Sequence, residues 1–500
     1  MEESMIVQYF EGKTVLITGA TGFLAKILLE KILRVQPNVN KLFLLIRPTT
    51  NKSVQQRLEE EVLNCSLFEV VREKYGEEKL IRSSHIQAKV IPVLGDVAHA
   101  NLGVVDSKLI NEMWNEIDII VNSAATTKFD ERYDVALAVN SLSSLHLKSF
   151  AGKCAKLKMF LHVSTAFVNC TKIGLITEKP FRMGETLIGA KISYLDINKE
   201  IELVQERLRE LQIQNANQEK ITSAMKDLGI ERALLHGWPN TYVFTKAMGE
   251  MLLENFMENV KVIIARPTIV TSTHKEPFPG WIEGVRTIDG LFVAYGKGIV
   301  KVFIGDPQTT LDVIPGDMVV NSMLAAMATH STQPYNSEFI IYHIGSSLRN
   351  PIKYKDMHCL MLQYLKKNPL MFDNRGNPIM LSKLVTFNTM TKFRGYIATH
   401  YLPFLNILKL VNKISCNYYK SSYANARRKI NRARRLAEIY KPFTFFYGIF
   451  DDFNTETMRR TLARSNDDAI SMFEFDPICI QWEQYFMNTH FPGVVKYALK

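Results

Sequence analysis

Short apolar runs that alternate with segments of helical period set the strongest limit on the fold. Between Thr14 and about Gly345 these runs are rich in Val, Ile and Leu: TVLIT, KLFLLIR, KVIPVL, IDIIV, MFLHVST, VKVIIAR and EFIIYHIG. Continuous apolar runs are typical of strands that a parallel sheet buries on both faces. Helical segments between them, such as FLAKILLEKILRV after the first run, fit right-handed crossovers. The pattern predicts an α/β fold built on a doubly wound parallel sheet.

A change in composition near Arg349-Asn350-Pro351 predicts a domain boundary, because a turn signal coincides there with the end of the apolar rhythm. Beyond this point the sequence is aromatic, basic and helical in pattern. We therefore expect an α/β domain over 1–349 and a helical, basic C-terminal domain over 350–500. A charged helical insertion at about 170–235, which contains NKEIELVQERLRELQ, is expected to interrupt the first domain.

The overall composition predicts a soluble or peripheral globular protein. The 500 residues are 22% charged and 47% hydrophobic, and no apolar stretch reaches the roughly 18 residues of a membrane-spanning helix. Six scattered cysteines without a CxxC pair predict a reducing compartment and no metal site. The N-terminal MEESMIVQYFEGK carries acidic residues and no apolar core, so we expect neither a signal peptide nor a plastid transit peptide.

The positive charge of the chain is concentrated in one block. Between Asn374 and Ala437 there are 13 Lys and Arg residues and no Asp or Glu, against a formal net charge of +11 for the whole chain. The block joins an apolar segment, YLPFLNILKLVNKI, to a polybasic one, ARRKINRARR. Such a pair can lie in a membrane interface, so we expect peripheral contact with an anionic membrane surface. A core helix with a solvated basic face is the alternative, and no nucleic acid is expected because no binding module accompanies the charge.

A glycine-containing loop follows the first predicted strand and leads into a helix. Its sequence, TGATGFLA, has the pattern G-x-x-G-x-x-A, in which glycines permit a tight turn and let the backbone approach a pyrophosphate. The helix N-terminus adds free N–H groups and the positive end of a dipole. We therefore predict a dinucleotide site on a Rossmann-type sheet, with a tight turn that binds nothing as the alternative. The residues expected to contact the dinucleotide are Thr18, Gly19, Thr21, Gly22, Phe23 and Leu24.

The ends of the next three strands carry further cofactor candidates, since ligands of open α/β sheets bind at the carboxyl edge. Arg47 stands where an NAD enzyme would place an acid on the ribose, which favours NADPH as the cofactor. A plain surface arginine, with Lys52 on the 2′-phosphate instead, is the alternative. Asp96 closes the third strand, as an acceptor for the adenine amine or as a turn former. The other candidates at these strand ends are Val97, Ala124 and Ala125.

Ser164, Tyr242 and Lys246 form the candidate catalytic set. Tyr242 and Lys246 lie four residues apart in NTYVFTKAMGEMLLENF, whose helical period places them on one face. A tyrosine ordinarily has a pKa of about 10, and a neighbouring ammonium favours its phenolate, which brings it toward use as a general acid or base. Ser164 ends the fifth predicted strand, and its neighbour Thr165 is the alternative hydroxyl.

These motifs, with Arg266-Pro267 after the sixth predicted strand, together resemble the extended short-chain dehydrogenase/reductase superfamily. Within it the chain closely resembles plant alcohol-forming fatty acyl-coenzyme A reductases. The phrases that carry this resemblance are GATGFLAKILLEKILR, FDERYD, HVSTAFVN, HGWPNTYVFTKAMGEML, EPFPGWIEG and GIFDDFNTE. The similarity runs from about Phe10 to the C-terminus, so 1–349 resembles the family's NADPH-binding reductase domain and 350–500 its C-terminal domain. The superfamily pattern also adds Pro267 to the cofactor candidates.

The resemblance implies that a long-chain fatty acyl-CoA is reduced to a primary alcohol with two NADPH, through an aldehyde and with release of coenzyme A. Tyr242 and Ser164 would then donate hydrogen bonds to the developing oxyanion, and Lys246 would hold the nicotinamide ribose. Together with the basic block, it implies a peripheral position on the cytoplasmic side of the endoplasmic reticulum membrane.

Two rival functions stay open at the level of sequence. One is an NADPH-dependent aldehyde or ketone reductase of the same fold, and the other is a non-catalytic scaffold that senses NADPH and binds membranes. Individual roles also stay open. Asn140 could relay protons through water or be a plain polar helix residue, while His236 and Trp238 could line the substrate mouth or pack in the core.

Overall fold

Seven parallel strands form the central sheet of the computed structural model, which describes residues 4–75, 89–333, 339–372, 377–379, 384–464 and 472–499. The strands are β1 (Thr14–Thr18), β2 (Lys41–Ile46), β3 (Val90–Leu94), β4 (Ile119–Asn122), β5 (Met159–Val163), β6 (Lys261–Pro267) and β7 (Ile340–Ile344). Their order is β3-β2-β1-β4-β5-β6-β7, and neighbouring strands are parallel. The chain order reverses between β1 and β4, the switch point at which doubly wound sheets bind ligands. The predicted fold class is confirmed.

The chain divides into two compact units whose boundaries differ from those expected from the sequence. The sheet unit comprises Met1–Gly284, Asp312–Asn350 and Ile449–Lys500, and the helical unit comprises Val285–Leu311 and Pro351–Gly448. The chain does pass from the sheet unit to the helical unit at the composition change after Asn350, but residues 449–500 return to the sheet unit. There Asn454 and Thr455 donate side-chain hydrogen bonds of 2.9 Å to backbone carbonyls of β7. Such contacts leave no mark in composition, so the expected single boundary at 349/350 is replaced by an interleaved division.

Helices of the sheet unit cover the strands, and the apolar runs are buried for that reason: every residue of β1 and of β5 is buried. The helix that follows the glycine-containing loop, Phe23–Val35, is called the nucleotide helix here. It coincides with the predicted FLAKILLEKILRV. Other α-helices of this unit are Met5–Tyr9, Val54–Leu58, Glu69–Tyr75, Ser107–Glu116, Tyr133–Ala136, Ser143–Ala151, Ile197–Ile213, Gln218–Leu235, Thr241–Met251, Gly316–Ser331, Phe453–Arg464, Trp482–Gln484 and Phe491–Gly493. Its π-helical turns are Glu59–Leu63, Leu137–Leu142, Tyr485–His490 and Val494–Ala498, and its short strands are Gly174–Ile176, Ile269–Thr271 and Val313–Pro315.

The predicted insertion contains two helices, Ile197–Ile213 and Gln218–Leu235, that a buried carboxylate holds in place. Glu200 accepts a hydrogen bond of 2.7 Å from the hydroxyl of Tyr133 and is paired with Arg232 of the second helix. Burial acts to raise the pKa of Glu200, but hydrogen bonds with His236, Arg232 and Tyr133 outweigh it and lower the pKa to about 2. The insertion is therefore tied to the sheet unit by an ionised, well-partnered group.

His236 and Trp238 follow the insertion and lie in the core. Their side chains are 2% and 0% exposed, and Trp238 Nε1 donates to the backbone carbonyl of Val168 at 3.0 Å. His236 is hydrogen-bonded to Glu200 at 3.2 Å. The contacts support the packing role for both residues rather than a place at a substrate mouth.

The helical unit contains the α-helices Thr287–Gly296, Tyr354–Lys367, Met390–His400, Leu402–Ile414 and Lys420–Thr444. Its strand pairs are Val302–Ile304 with Val385–Phe387 and Thr310–Leu311 with Ile352–Lys353, and Gly448–Phe450 lies where the chain leaves the unit. A core of Ile304, Phe393, Ile397, Leu405, Ile430 and Ala437 joins the strand Val302–Ile304 to the helices Met390–His400, Leu402–Ile414 and Lys420–Thr444. Part of the basic block therefore forms core helices, while 374–376, 380–383 and the side chain of Arg432 lie outside the described residues. Within the described ranges, no helix combines the length and apolar character needed to cross a membrane.

Candidate active site

The loop after β1 approaches the end of β4 so closely that position 19 requires a glycine. Gly19 has a φ of +67°, and a Cβ atom there would stand 2.8 Å from the Cα and N atoms of Ala124. The N–H of Gly22 donates to the carbonyl of Gly19 at 2.8 Å, and Gly22 caps the nucleotide helix with backbone alone. Thr21 lies in the same turn, and Phe23 and Leu24 are the first two residues of the nucleotide helix. This backbone cradle at a helix N-terminus fits the phosphates of a dinucleotide.

Thr18 ties the ends of β1 and β4 together. Its buried hydroxyl accepts hydrogen bonds from the backbone N–H groups of Ser123 (3.2 Å) and Ala124 (3.1 Å) and donates to Asn122 Oδ1 (2.9 Å). The single hydroxyl hydrogen is therefore already used. Thr18 contributes to the predicted site by holding Ala124 and the exposed Ala125 beside the glycine loop.

Arg47 and Lys52 differ in what they already bind. The side chain of Arg47 is exposed just beyond β2, whereas Lys52 is held by Glu60 in an ion pair of 2.5 Å. Arg57 donates to the backbone carbonyl of Arg47 at 2.6 Å and fixes this strand end. Of the two predicted phosphate ligands, Arg47 is thus the one with no carboxylate partner within the described residues.

A tight loop beyond β3 carries Asp96 and Val97. The N–H of Asp96 donates to the carbonyl of Leu102 at 2.7 Å, and one of its carboxylate oxygens accepts from the N–H of Ala98 at 2.9 Å. A Cβ atom on Gly95 would overlap the carbonyl oxygen of Leu102, so the loop closes on a glycine. Asp96 is half-buried and Val97 is buried, and both lie at the carboxyl edge of the sheet. Asp96 therefore has the turn-forming role.

The tyrosine helix, Thr241–Met251, begins at Asn240, whose side chain accepts a hydrogen bond of 3.1 Å from the N–H of Val243. Tyr242 and Lys246 lie one turn apart on it. Lys246 is buried, and its ammonium donates to the backbone carbonyl of Val163, the last residue of β5, at 2.6 Å. Burial lowers the pKa of Lys246 to about 8, and the nearby carboxylate of Glu250 acts in the opposite direction.

A buried ion pair fixes the far end of the tyrosine helix to the sheet. Glu250 binds Arg266 of β6 through two contacts, of 3.0 Å to Nε and 2.5 Å to Nη2, and both side chains are at most 1% exposed. The sequence reasoning did not single out Glu250 as a residue that supports the site. Its signal was an acid four residues beyond Lys246, on the same face of a helix that is otherwise apolar.

Ser164 and Thr165 differ in whether their hydroxyls are already used. Thr165 Oγ1 lies 3.4 Å from the carbonyl oxygen of Pro267 and accepts from the N–H of Phe167 at 3.3 Å. The hydroxyl of Ser164 is buried and has no hydrogen-bond partner within the described part of the chain. An added group with a carbonyl oxygen would satisfy it, so Ser164 fits the role of donor better than Thr165 does.

Asn140 belongs to a π-helical turn, Leu137–Leu142, that packs on the tyrosine helix. Its side-chain oxygen accepts from the N–H of Thr126 at 2.9 Å, and its amide donates to the carbonyl of Thr126 and to the hydroxyl of Thr245. These contacts support the role of a buried structural residue. Phe129, three residues beyond Thr126, packs against the ring of Tyr242 with centroids 5.9 Å apart, a contact with no signal in the sequence.

The sheet thus brings a glycine cradle at β1 and β4 to the same carboxyl edge as the Val163–Ser164 strand end that Lys246 contacts. The site combines this cradle with the buried ammonium of Lys246, the hydroxyl of Ser164 and the nearby Tyr242. This combination defines a nicotinamide-dependent oxidoreductase of the extended short-chain dehydrogenase/reductase type.

Comparison with known proteins narrows the class. Two family models, both described as male sterility protein, match residues 17–323 and 399–500, and the first is an NAD-binding model. The chain is 49% identical over 498 residues to probable fatty acyl-CoA reductase 4 of Arabidopsis thaliana and 47% identical over 500 residues to the alcohol-forming fatty acyl-CoA reductase of Simmondsia chinensis, with 100% of both chains covered in each case. This chain belongs to the fatty acyl-CoA reductase family, as the sequence resemblance predicted.

Solved structures agree on the fold. The terminal R domain from the myxalamid PKS-NRPS biosynthetic pathway matches with a TM-score of 0.52 and 17% sequence identity, over 97% of this chain and 91% of that one. At this identity the likeness supports the architecture alone.

Proposed function

We propose that this chain reduces long-chain fatty acyl-CoA to primary fatty alcohols with two equivalents of NADPH, through an aldehyde and with release of coenzyme A. The observation that carries the proposal is the position of Lys246, which donates to the carbonyl of Val163. The next residue, Ser164, has a hydroxyl with no hydrogen-bond partner among the described residues. Full-length identity of 47% to a relative named as an alcohol-forming fatty acyl-CoA reductase supports the substrate class.

The residues of the site suit two successive reductions at one carbonyl carbon. Bound NADPH supplies the hydride for each reduction. Ser164 and Tyr242 donate hydrogen bonds to the carbonyl oxygen as negative charge develops on it, and Tyr242 transfers a proton to that oxygen. The first reduction yields a hemithioacetal, whose collapse breaks the carbon–sulfur bond, releases the coenzyme A thiol and leaves an aldehyde. The second hydride and proton convert the aldehyde to the alcohol.

Lys246 acts on the tyrosine rather than on the substrate. Its ammonium favours the phenolate form of Tyr242, so that the proton can leave the hydroxyl and be replaced at neutral pH. Its burial strengthens that effect, because charges interact more strongly where water is excluded. Glu250 supports the charged state of Lys246 from one turn further along the helix.

NADPH rather than NADH is proposed because of the cation at the end of β2. Arg47 is exposed and uncommitted to any described carboxylate, whereas Lys52 is paired with Glu60. A guanidinium matches a 2′-phosphate with two parallel hydrogen bonds. The sequence also lacks an acid at this strand end, where NADH enzymes bind the ribose hydroxyls.

Purified full-length protein tests the reaction directly. With palmitoyl-CoA and NADPH, we expect two cofactor molecules to be oxidised for each thiol released and hexadecanol to be the product. Accumulation of aldehyde at a ratio of one would show a half reaction. Absence of thiol release, with reduction of added aldehydes or ketones, would favour the rival reductase. Binding of NADPH without turnover of any of these substrates would favour the scaffold, and unchanged turnover in Tyr242→Phe would remove the tyrosine from the mechanism.

We also propose that the helical unit contacts the cytoplasmic face of the endoplasmic reticulum membrane. One face of the helix Leu402–Ile414 exposes apolar side chains every three or four residues, with exposed fractions of 58–74%: Phe404, Ile407, Leu410 and Ile414. The helix Lys420–Thr444 packs in the same core through Ile430 and exposes Arg427, Arg428 and Lys429. Exposed apolar side chains together with exposed cationic ones suit an anionic lipid surface.

Vesicle sedimentation separates this role from a plain solvated face. Replacing Arg427, Arg428 and Lys429 by Gln should weaken binding to phosphatidylserine-containing vesicles about 100-fold, at about 1 kcal/mol per cation. The matched control replaces three exposed lysines of the same unit, Lys355, Lys366 and Lys367, and should change binding little. Equal binding by both variants would contradict the proposal.

A further inference from the structure

A short loop beyond β4, residues 126–133, contacts the tyrosine helix at both of its ends and at its middle. We call it the Phe129 loop. It begins directly after Ala125, which lies beside the glycine cradle. It contains FDERY of the phrase FDERYD, to which the proposed function assigns no role. The contacts of this loop point to such a role.

Asn140 joins the beginning of the Phe129 loop to the tyrosine helix. Its side-chain oxygen accepts from the N–H of Thr126 at 2.9 Å, and its amide donates to the carbonyl of Thr126 at 3.1 Å. The same amide donates to the hydroxyl of Thr245 at 3.0 Å, three residues beyond Tyr242. One buried side chain thus binds the backbone of the loop and the helix together, and both of its amide hydrogens are used.

The side chain of Tyr133 fixes the end of the loop. Tyr133 is buried, and its ring stacks on that of Phe244 with centroids 6.1 Å apart and planes inclined by 22°. Phe244 lies two residues beyond Tyr242 on the tyrosine helix. The hydroxyl of Tyr133 donates to Glu200 of the insertion at 2.7 Å. Both ends of the loop are therefore held within three residues of Tyr242 along the helix.

A turn gives the middle of the loop a fixed shape. The N–H of Glu131 donates to the carbonyl of Lys128 at 3.3 Å. The carboxylate of Glu131 accepts from the hydroxyl of Thr126 at 3.2 Å and from the N–H of Arg132 at 3.0 Å. Burial acts to raise the pKa of Glu131, but these hydrogen bonds and the ammonium of Lys128 outweigh it, so the pKa is lowered. Phe129 is the second residue of this turn.

The turn places the ring of Phe129 against the ring of Tyr242. The two centroids lie 5.9 Å apart and the planes are inclined by 32°, within the range of attractive aromatic pairs. Tyr242 is half-buried, whereas its helix neighbours Thr241 and Val243 are buried. Rotation of a tyrosine about its first side-chain bond moves the hydroxyl furthest, because this group lies at the far end of the ring. Contact with a ring that the loop holds in place limits that rotation.

We propose that Phe129 is a positioning residue for Tyr242: the loop holds its ring against the phenol and keeps the Tyr242 hydroxyl directed at the carbonyl oxygen of the substrate. The inference rests on the proposed function, in which Tyr242 gives a proton to that oxygen in both reductions. A misplacement of about 1 Å at a reacting group can cost about 100-fold in rate, so a residue that touches no reacting atom can still determine kcat. Direct contact of Phe129 with the acyl chain would act on substrate binding instead.

Substitutions at position 129 separate these two roles through kcat and KM. Phe129→Ala should lower kcat about tenfold, by the same factor for hexadecanal and decanal, and change the aldehyde KM and the Kd for NADPH by less than about twofold. Phe129→Tyr keeps the ring and should recover most of the loss. A loss confined to KM, or one that depends on chain length, would overturn the proposal and assign Phe129 to acyl binding.

A double-mutant cycle with Tyr242→Phe tests whether Phe129 acts through the hydroxyl. Tyr242→Phe keeps the ring and removes only the group that is positioned. In that background Phe129→Ala should change the residual rate, measured as hexadecanol accumulated over hours, by less than about twofold. An equal loss in both backgrounds, or no loss with Tyr242 present, would refute the positioning role.

The matched control is Phe256, another half-buried phenylalanine, which follows the tyrosine helix and packs against Phe160 of β5 with centroids 4.8 Å apart. Phe256→Ala should lower Tm at least as much as Phe129→Ala and leave kcat per folded enzyme unchanged. An equal fall in kcat in both variants would contradict the proposal. Because these assays use a fatty aldehyde, a wild-type enzyme that reduces the aldehyde but not palmitoyl-CoA would refute the proposed function, and the role of Phe129 would still be decided.

Discussion

Gly249 of the tyrosine helix lies directly against the backbone carbonyl of Asn140, so that a Cβ atom at Gly249 would overlap this oxygen. The π-helical turn Leu137–Leu142 and the tyrosine helix are therefore in backbone contact, one turn from Lys246. Hydrogen bonds from Asn140 and Ser141 to Thr245 reinforce the contact. The position of the tyrosine helix, and with it that of Tyr242, depends on this close approach.

Replacing Gly249 by Ala should displace the tyrosine helix. The added methyl group meets backbone, which cannot rotate away, so we expect a loss of about 1–3 kcal/mol in the free energy of unfolding and a lower kcat. Urea denaturation and steady-state kinetics measure both. Gly290 is a matched control, because it lies in the helix Thr287–Gly296 with open space around it. Gly290→Ala should stabilise by up to about 1 kcal/mol; equal behaviour of the two variants would contradict the role of the contact.

Activity and stability should respond to Lys246 with opposite signs as the pH rises. Burial lowers the pKa of Lys246 to about 8, below the value of about 10.4 in an unfolded chain. Above pH 8 the folded enzyme loses the ammonium that supports Tyr242, so kcat/KM should fall. Between these two pKa values the unfolded chain binds more protons, so the contribution of Lys246 to stability should increase with pH.

A pH profile of kcat/KM with saturating cofactor measures the predicted fall above pH 8. Lys246→Arg keeps a positive charge over this range, so its smaller residual activity should show no fall near pH 8. A fall that persists in Lys246→Arg would mean that another group titrates.

Arg47→Ala should raise the KM for NADPH about tenfold and change the KM for NADH little, because only NADPH carries the 2′-phosphate that the guanidinium would bind. Lys52→Ala provides the control. Since Lys52 is committed to Glu60 at an exposed position, its loss should change either KM by less than about twofold. The opposite ranking of the two variants would move the phosphate contact to Lys52.

The buried pair of Glu250 and Arg266 should be costly to break from one side. Arg266→Met leaves the carboxylate of Glu250 buried without its partner, so we expect a loss of about 3–5 kcal/mol in the free energy of unfolding. Exchanging both residues for apolar ones should recover most of this loss. Denaturant titration of the single and double variants measures the coupling. Arg207→Ala removes an exposed pair with Glu210 and should cost less than about 1 kcal/mol.

Much of the sheet unit could be predicted because buried parallel strands leave uninterrupted apolar runs. The run TVLIT is β1 residue for residue, and FLAKILLEKILRV is the nucleotide helix. The glycine loop and the pair of Tyr242 and Lys246 were accessible for a related reason. A turn with a positive φ favours glycine, and residues four apart lie on the same face of a helix.

What could not be predicted depends on contacts between residues distant in sequence. Spacing cannot choose between the adjacent hydroxyls of Ser164 and Thr165, whereas the bonds of Thr165 to Pro267 and Phe167 favour Ser164 as the open donor. The hydrogen bonds that link Thr18 to Asn122 and Asn122 to His162 depend on the register of three strands, which the sequence does not give. Residues 449–500 return to the sheet unit through contacts such as the hydrogen bonds of Asn454 and Thr455 to β7, which no local sequence pattern predicts.

This interleaving has a consequence for biosynthesis. The sheet unit takes structural pieces from residues 449–500, so a nascent chain cannot complete that unit before these residues have been synthesised. The carbonyls of Ile341 and His343 in β7 can receive their hydrogen bonds from Asn454 and Thr455 only after those residues have emerged from the ribosome. A premature stop codon even late in the reading frame should therefore yield a chain destined for degradation rather than a shortened reductase.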